Sequence, residues 1–304
     1  MSYNVQTDFT PVYELANSLK LFSDKKMIKS ADLGPQWHKN VSIGLSTEFL
    51  ADIEEFTRVD GCFHYLFLLI WRSPKKDSVE GFLGWLEKLS PGEIYEMLSP
   101  IVAGGLPNDL GNLRDLYVKL LSQWQQHYFS RVDPFVMEVM LKSANEVAAE
   151  KIADPIDFVE RISGGIRIPY AEGLETIVLI PSYHQAPFIT YHRHRTLFLV
   201  LYSVDLPSIE PFTPSSALLR LTKALSDENR LKLLKKLAQG PQNFTGLFSG
   251  LDVSKSTVHH HIMTLRVAGL ISVLVSQEYG HDTYILRASG IDELSVHLKN
   301  YLSL

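Results

Sequence analysis

The stretch Val253-Ser254-Lys255-Ser256-Thr257-Val258-His259-His260-His261-Ile262-Met263-Thr264-Leu265-Arg266-Val267-Ala268-Gly269-Leu270 decides how the chain is read. Ser254 stands where a helix begins, because its hydroxyl accepts a hydrogen bond from an amide that has no partner inside the helix. Val258, Ile262 and Leu265 recur at helical spacing and make one apolar face. Gly269 ends the helix, since a residue without a Cβ takes left-handed backbone geometry freely. The spacing therefore predicts a helix over 254–268. Lys255, Ser256, Thr257, His259, His260 and Met263 lie on the other side. A cation at the N-terminal end, followed by short hydrogen-bonding side chains, suits a helix whose first residues rest on base edges in a major groove.

The flanking residues complete a module around that helix. Upstream, a helix over about 215–225 precedes Ser226-Asp227, which cap a second. In that second helix Leu231, Leu234 and Leu237 are expected inward and Lys232, Lys235 and Lys236 outward; Gly240-Pro241 end it. A short helix over 244–249 and a turn over 250–253 lead into the 254–268 helix. Downstream, 271–277 and 282–287 read as a hairpin around Glu278-Tyr279-Gly280-His281, a wing. A last helix near 291–302 aligns Ile291, Leu294, Leu298, Tyr301 and Leu302 in one stripe. The stripe is expected either inside the domain or against a second subunit.

Four blocks in this order carry a resemblance. The run Ala224 to Leu234 (ALSDENRLKLL), the run Ser254 to Ile262, the run Leu265 to Ile271 and the wing strands are similar to ArsR-type winged helix-turn-helix transcriptional regulators. Residues 224–287 thus resemble that family, and the upstream domain is similar to an uncharacterised helical domain ahead of such modules in some bacterial regulators. The resemblance implies a homodimer on double-stranded DNA that reads a two-fold operator, commonly as a repressor. Its recognition helices would sit about 34–36 Å apart, one turn of DNA. It implies that Ser254, Lys255, Ser256, Thr257, His259 and His260, with Tyr279 and His281 at the wing tip, meet bases or phosphates. His261 is expected to pack or cap within the module.

The sequence departs from the family pattern in three places. Residues 244–249 lack the thiolate pair that many relatives use for soft metals, and on the last helix His297 stands alone. No metal or cofactor is therefore expected. Asp252 occupies the turn position usually held by Gly, and Asp tolerates left-handed geometry better than most residues. The wing tip has no Arg or Lys, so phosphate contact is expected from Lys255 and the lysines of the second helix.

Composition fits this reading. From residue 211 onward there are ten basic and seven acidic residues, +3, whereas the remainder carries −8. A cationic tail on an acidic body suits a nucleic-acid module joined to something else. No apolar run reaches the ~20 residues that span a bilayer. Residues 1–10 are polar and do not read as a secretory signal. A single cysteine, Cys62, allows no internal disulfide and no multi-thiolate metal site. Together these place the chain in the cytoplasm.

The first two thirds read as helices near 11–22, 44–58, 61–72, 77–89, 91–98, 112–129, 133–152 and 154–162, with a strand over 3–9. After Gly164-Gly165, the segments 166–170, 175–182, 188–192 and 196–204 are rich in β-branched and aromatic residues and read as an antiparallel sheet. Three prolines in 205–216 make a semi-rigid connector. The expected fold class is α+β, mostly helical. A helical domain over 1–204 ends in a small antiparallel sheet, a Pro-rich linker spans 205–212, and a winged helix-turn-helix domain covers 213–304.

Other features admit two readings each. His259, His260 and His261 do not converge on one ion, because adjacent helical residues point about 100° apart. His184, His192 and His194 suggest an anion or metal site, but no nearby Cys, Asp or Glu offers zinc a further ligand, so a polar sheet edge or turn is preferred. Ser182 lies near His184 with no carboxylate in sequence to orient the base, and no catalytic motif is present; an enzyme is not expected. Trp37, Trp71, Trp85 and Trp124 are core residues or the lining of a pocket for an unknown small-molecule effector. Cys62 reads as a buried hydrophobe. The alternative to a DNA-binding regulator is a winged-helix module used for protein contact, with a ligand-binding or structural first domain.

Overall fold

A computed structural model describes residues 3–59, 61–102, 105–207, 210, 212–276 and 282–303. The chain forms two compact units. One comprises Asn4–Glu150 and Gly173–Val204; the other comprises Met1–Tyr3, Lys151–Glu172 and Asp205–Leu304.

The first unit is built on α1 (Pro11–Ser23), which is buried on every side. Such a helix has no face to give to water. Every residue from Val12 to Leu19 is buried, including Glu14, Asn17 and Ser18. Around it lie α2 (Gly34–Ile43), α3 (Thr47–Phe56), α4 (Cys62–Arg72), α5 (Val79–Leu86), α6 (Pro91–Leu98), α7 (Leu110–His127) and α8 (Pro134–Ala149). Thr10, Ser46, Ser78, Ser90, Asp109 and Asp133 each cap the helix that follows through a side-chain oxygen. Cys62 is buried in the same core.

The sheet of this unit has β1 (Asn4–Thr7), β3 (Thr176–Ser182), β4 (Thr190–Arg193) and β5 (Leu197–Ser203), in the order β1-β3-β5-β4. The strand expected over 3–9 joins it. The expected antiparallel pairing is corrected: β1, β3 and β5 run parallel, and the edge strand β4 alone is antiparallel, to β5. In β3 and β5 nearly every residue is buried on both faces, so their near-continuous apolar runs are those of a covered parallel sheet.

The second unit contains α9 (Pro155–Ser163), β2 (Ile166–Arg167), α10 (Ser216–Leu225), α11 (Glu228–Leu237), α12 (Phe244–Phe248), α13 (Lys255–Val267), β6 (Ile271–Leu274), β7 (Thr283–Leu286) and α14 (Ala288–Leu302). Segment 166–170, expected in the first domain's sheet, instead sends β2 into parallel pairing with β6, Ile166 opposite Val273. Strand propensity says that a segment is extended, not which sheet edge receives it. Gly165 permits the approach: a Cβ there would lie 2.9 Å from the Ile271 carbonyl oxygen. β6 and β7 pair antiparallel as the expected wing hairpin. Two contacts tie the Pro-rich stretch to this unit. Asp205 pairs with Arg220, and Tyr301 Oη donates to the Phe212 carbonyl at 3.0 Å.

Among the described residues no helix is long and apolar enough to cross a membrane.

Candidate nucleic-acid interface

The helix expected over 254–268 is α13. Ser254 caps it, accepting from the Thr257 amide at 3.1 Å. Its hydroxyl also lies 2.8 Å from both Ser256 Oγ and Thr257 Oγ1, so three hydroxyls form one cluster at the helix start. Gly269 follows the helix with φ +68°, as its role as a stop requires. Val258, His261, Ile262 and Leu265 are buried against Leu233, Leu237 and Leu247.

The opposite side is open. Ser254, Lys255, Ser256, His259 and His260 are exposed, and Thr257 is half-buried. Tyr279 and His281 lie outside the described residues. His261 packs inside, as expected, with Nδ1 4.0 Å from Asp227 Oδ1. Burial lowers its pKa below the ordinary value, which favours the neutral ring.

Three cationic side chains fix the end of the helix and the elements around it. Arg287, buried, donates from Nη1 to the Gly269 carbonyl at 2.9 Å and binds Glu293 of α14 through both guanidinium arms, at 3.0 and 2.6 Å. The far end of α13 is therefore clamped by a bidentate charge pair. Arg230 sends Nε to the Ala224 carbonyl and Nη2 to the Lys223 carbonyl, both at 2.7 Å, which closes the end of α10. Asp227 caps α11 through the Arg230 amide, and that hydrogen bond is the main reason its carboxyl titrates below the usual range. The third contact is Lys236, whose amine lies 3.1 Å from the carbonyls of Gly246 and Leu247 and also bonds Ser249, closing α12 just ahead of the turn.

These contacts correct two expectations. In α11 the buried positions are Arg230, Leu233 and Leu237, whereas Leu231 is 48% exposed. Arg230 takes an inward place because its head satisfies the end of α10, and this rotates the buried stripe by one residue. The lysines of this helix are also not equivalent. Lys236 is spent on carbonyls, and Lys232 pairs with Glu228 at 2.7 Å. Lys235 remains exposed, and among the described residues it has no ion pair. Lys255 Nζ sits 5.8 Å from the Phe248 ring centroid, which orients it beside α12 at the start of α13. Of the lysines expected to meet phosphates, Lys255 and Lys235 are thus the exposed ones without an ion pair among the described residues.

In the first unit the histidines singled out by sequence fall into two places. His184 Nδ1 lies 2.5 Å from Glu14 Oε1, and its Nε2 lies 2.6 Å from Tyr128 Oη. The carboxylate that sequence spacing did not supply comes from α1. His192 and His194 are 2% and 5% exposed, so the polar edge expected there is a buried one. His192 meets the His64 and Phe67 rings, with centroids 4.4 and 4.6 Å away, and its Nε2 lies 3.5 Å from the Lys20 amine. Burial drives the pKa of His192 well below normal and that of His194 to about 3, so both are neutral. Among the described residues no group of three or more His, Cys, Asp or Glu is arranged to hold a metal ion. Sequence reasoning missed Glu14, Lys20 and His64. The sequence carries no local signal for them: Glu14, Asn17 and Ser18 share one side of α1, as residues of a solvent-facing side do.

Comparison with known proteins bears on the second unit. Residues 227–273 match the family model described as bacterial regulatory protein, arsR family. A solved ArsR-like transcriptional regulator from Rhodococcus sp. RHA1 is 23% identical over 29% of this chain and 81% of its own, with a TM-score of 0.26. A second solved ArsR family transcriptional regulator is 21% identical over 29% of this chain and 94% of its own, also at 0.26. No curated protein matches the chain.

Proposed function

We propose, from the ArsR-type module carried by residues 227–273, that the protein is a DNA-binding transcriptional regulator that acts as a repressor. The observation that carries this is the outward side of α13. Lys255, Ser256, His259 and His260 are exposed there, while Val258, Ile262 and Leu265 anchor the helix in the core. Thr257 completes the contact surface, and Ser254 acts chiefly as the cap that holds it. The N-terminal residues of α13 read base edges and Lys255 and Lys235 meet phosphates.

A homodimer on a two-fold operator is part of the proposal. On α14, Ile291, Leu298 and Leu302 are 47%, 43% and 52% exposed at spacings of seven and four, one continuous helical stripe. α10 packs beside α14 and adds Leu219, 53% exposed. Apolar side chains in such a row favour burial against a second copy. In that assembly a small-molecule effector of the first unit would act by changing the spacing of the two α13 helices.

The test is the salt dependence of binding to double-stranded fragments selected from the source genome. Phosphate contacts release counterions, so affinity must fall steeply as salt rises. Affinity indifferent to salt would favour the second reading, a module turned to protein contact.

A further inference from the structure

The first unit contains a cleft of about 750 Å³, within the range that takes a small molecule. Phe22, Leu50 and Phe63 give it apolar walls, and His38, Ser42 and Lys20 add polar groups. His38 stacks on Phe22, with ring centroids 4.5 Å apart and planes 15° from parallel, which makes a flat aromatic wall.

The charges around the cleft are unbalanced in one direction. Asp24 also lines it, but its Oδ1 accepts from the amides of Lys26 and Met27, both at 2.9 Å. Glu54, on the rim, pairs with Arg58 at 3.6 Å. Lys20, Lys25 and Lys26 line the same cleft, and among the described residues none of the three has an ion pair. The Lys20 amine has His192 Nε2 as its hydrogen-bond partner. It also lies 5.7 Å from the centre of the Phe67 ring.

We propose that this cleft binds a small amphipathic anion: a carboxylate placed on the Lys20 ammonium, carried by an apolar or aromatic body lying against Phe22, Leu50 and Phe63. An ammonium withdrawn from water without an anionic partner is unfavourable, and a carboxylate supplies that partner. Burial lowers the Lys20 pKa to about 8, so the group still carries its charge at neutral pH. The groups around it are His192 and His64, both shifted toward the neutral form, and Asp24 and Cys62, which favour the charge. His38 is held toward neutrality by burial and by Lys25, so it contributes a flat surface rather than a charge. Lys25 and Lys26 at the mouth attract the anion and repel cations. That this ligand serves as an effector rests on the regulator reading; its binding does not.

The experiment is isothermal titration calorimetry on the full chain without DNA, using octanoate, 2-naphthoate and the two corresponding primary alcohols. At least one acid is expected to bind about tenfold or more tightly than its alcohol, the size of one charge-assisted hydrogen bond. Octanoate and 2-naphthoate separate an alkyl from an aryl ligand. Lys20→Met should erase the preference for the acid. Ser42→Phe should abolish binding of both, and because the Ser42 hydroxyl bonds only within its own helix, this variant should fold if Lys20→Met does not. Absence of acid binding at about 1 mM, equal binding of acid and alcohol, or a preference that survives Lys20→Met would overturn the proposal. A chain that binds acid but not DNA would refute the regulator reading and leave the cleft standing.

Discussion

Glu14 Oε1 lies 2.5 Å from His184 Nδ1 and 2.6 Å from the His184 amide, so one carboxylate oxygen holds both ring and backbone of a residue 170 positions away. The same oxygen accepts from the Tyr183 amide at 3.1 Å. On the far side of the ring, Tyr128 Oη meets His184 Nε2 and accepts from Trp37 Nε1 at 2.9 Å. The chain joins α1, α2, the end of α7 and the loop after β3. Removing one partner of a buried polar pair is strongly destabilising, because the other stays dry and unpaired. Glu14→Ala should therefore cost about 3 kcal/mol or more in urea unfolding, and Glu14→Gln, which keeps an acceptor oxygen, distinctly less. A loss under about 1 kcal/mol for Glu14→Ala would show that the relay holds nothing together.

Lys235 and Lys236 are neighbours with opposite fates. Lys236→Met removes the donor that closes α12 and should lower the melting temperature of the second unit. The salt slope of DNA binding should stay unchanged, since this amine faces carbonyls. Lys235→Met should leave melting alone and reduce the salt slope by about one unit, the signature of one lost phosphate contact. Reversed effects would mean that α11 presents the other lysine to DNA.

Ser254 binds the start of α13 together. Ser254→Ala removes the acceptor for the Thr257 amide and frees Ser256 and Thr257, at a cost of about 1 kcal/mol of stability. Ser254→Gly should cost only a few tenths of that, because Gly is tolerated at this position. Chemical denaturation of the two variants distinguishes them. Equal losses would argue that the hydroxyl does more than cap.

Acid should weaken the first unit. The folded-state pKa values of His192 and His194 are depressed, by burial first and then by neighbouring positive groups. As pH falls below about 6.5 the unfolded chain takes up these protons and the folded chain does not, so stability falls. The fall continues until the folded form also titrates, near pH 3 for His194. The stability contribution is thus present above about pH 6.5 and lost below it. His192→Leu should flatten the slope of unfolding free energy between pH 6.5 and 5. An unchanged slope in that variant would assign the acid sensitivity elsewhere.

The second unit was legible in the sequence because its signals are local. The Ser254 cap, the Val258, Ile262 and Leu265 spacing and the Gly269 stop each lie within a few residues of what they control. Leu231, expected inward, is exposed because α11 turns on Arg230, whose partners belong to the preceding helix. Pairing partners were less visible. Thr176–Ser182 and Leu197–Ser203 were recognisable as strands, but their parallel pairing depends on which edge each meets. Segment 166–170 gave no sign of reaching Val273, more than a hundred residues downstream. Glu14 and His184 are likewise joined only by the fold. Nothing local marks the pair, since Glu14, Asn17 and Ser18 lie together on one side of α1, as solvent-facing residues would.

In the proposed function the exposed side of α13 is the surface that selects a DNA sequence. The most direct measurement compares binding to operator and unrelated fragments for the natural chain and for the Ser256→Ala, His259→Ala double variant, at one fixed salt concentration. The double variant is expected to lose most of its discrimination, about 1 to 3 kcal/mol for each base contact removed, while remaining folded. Discrimination that survives the loss of both side chains would contradict that role of α13.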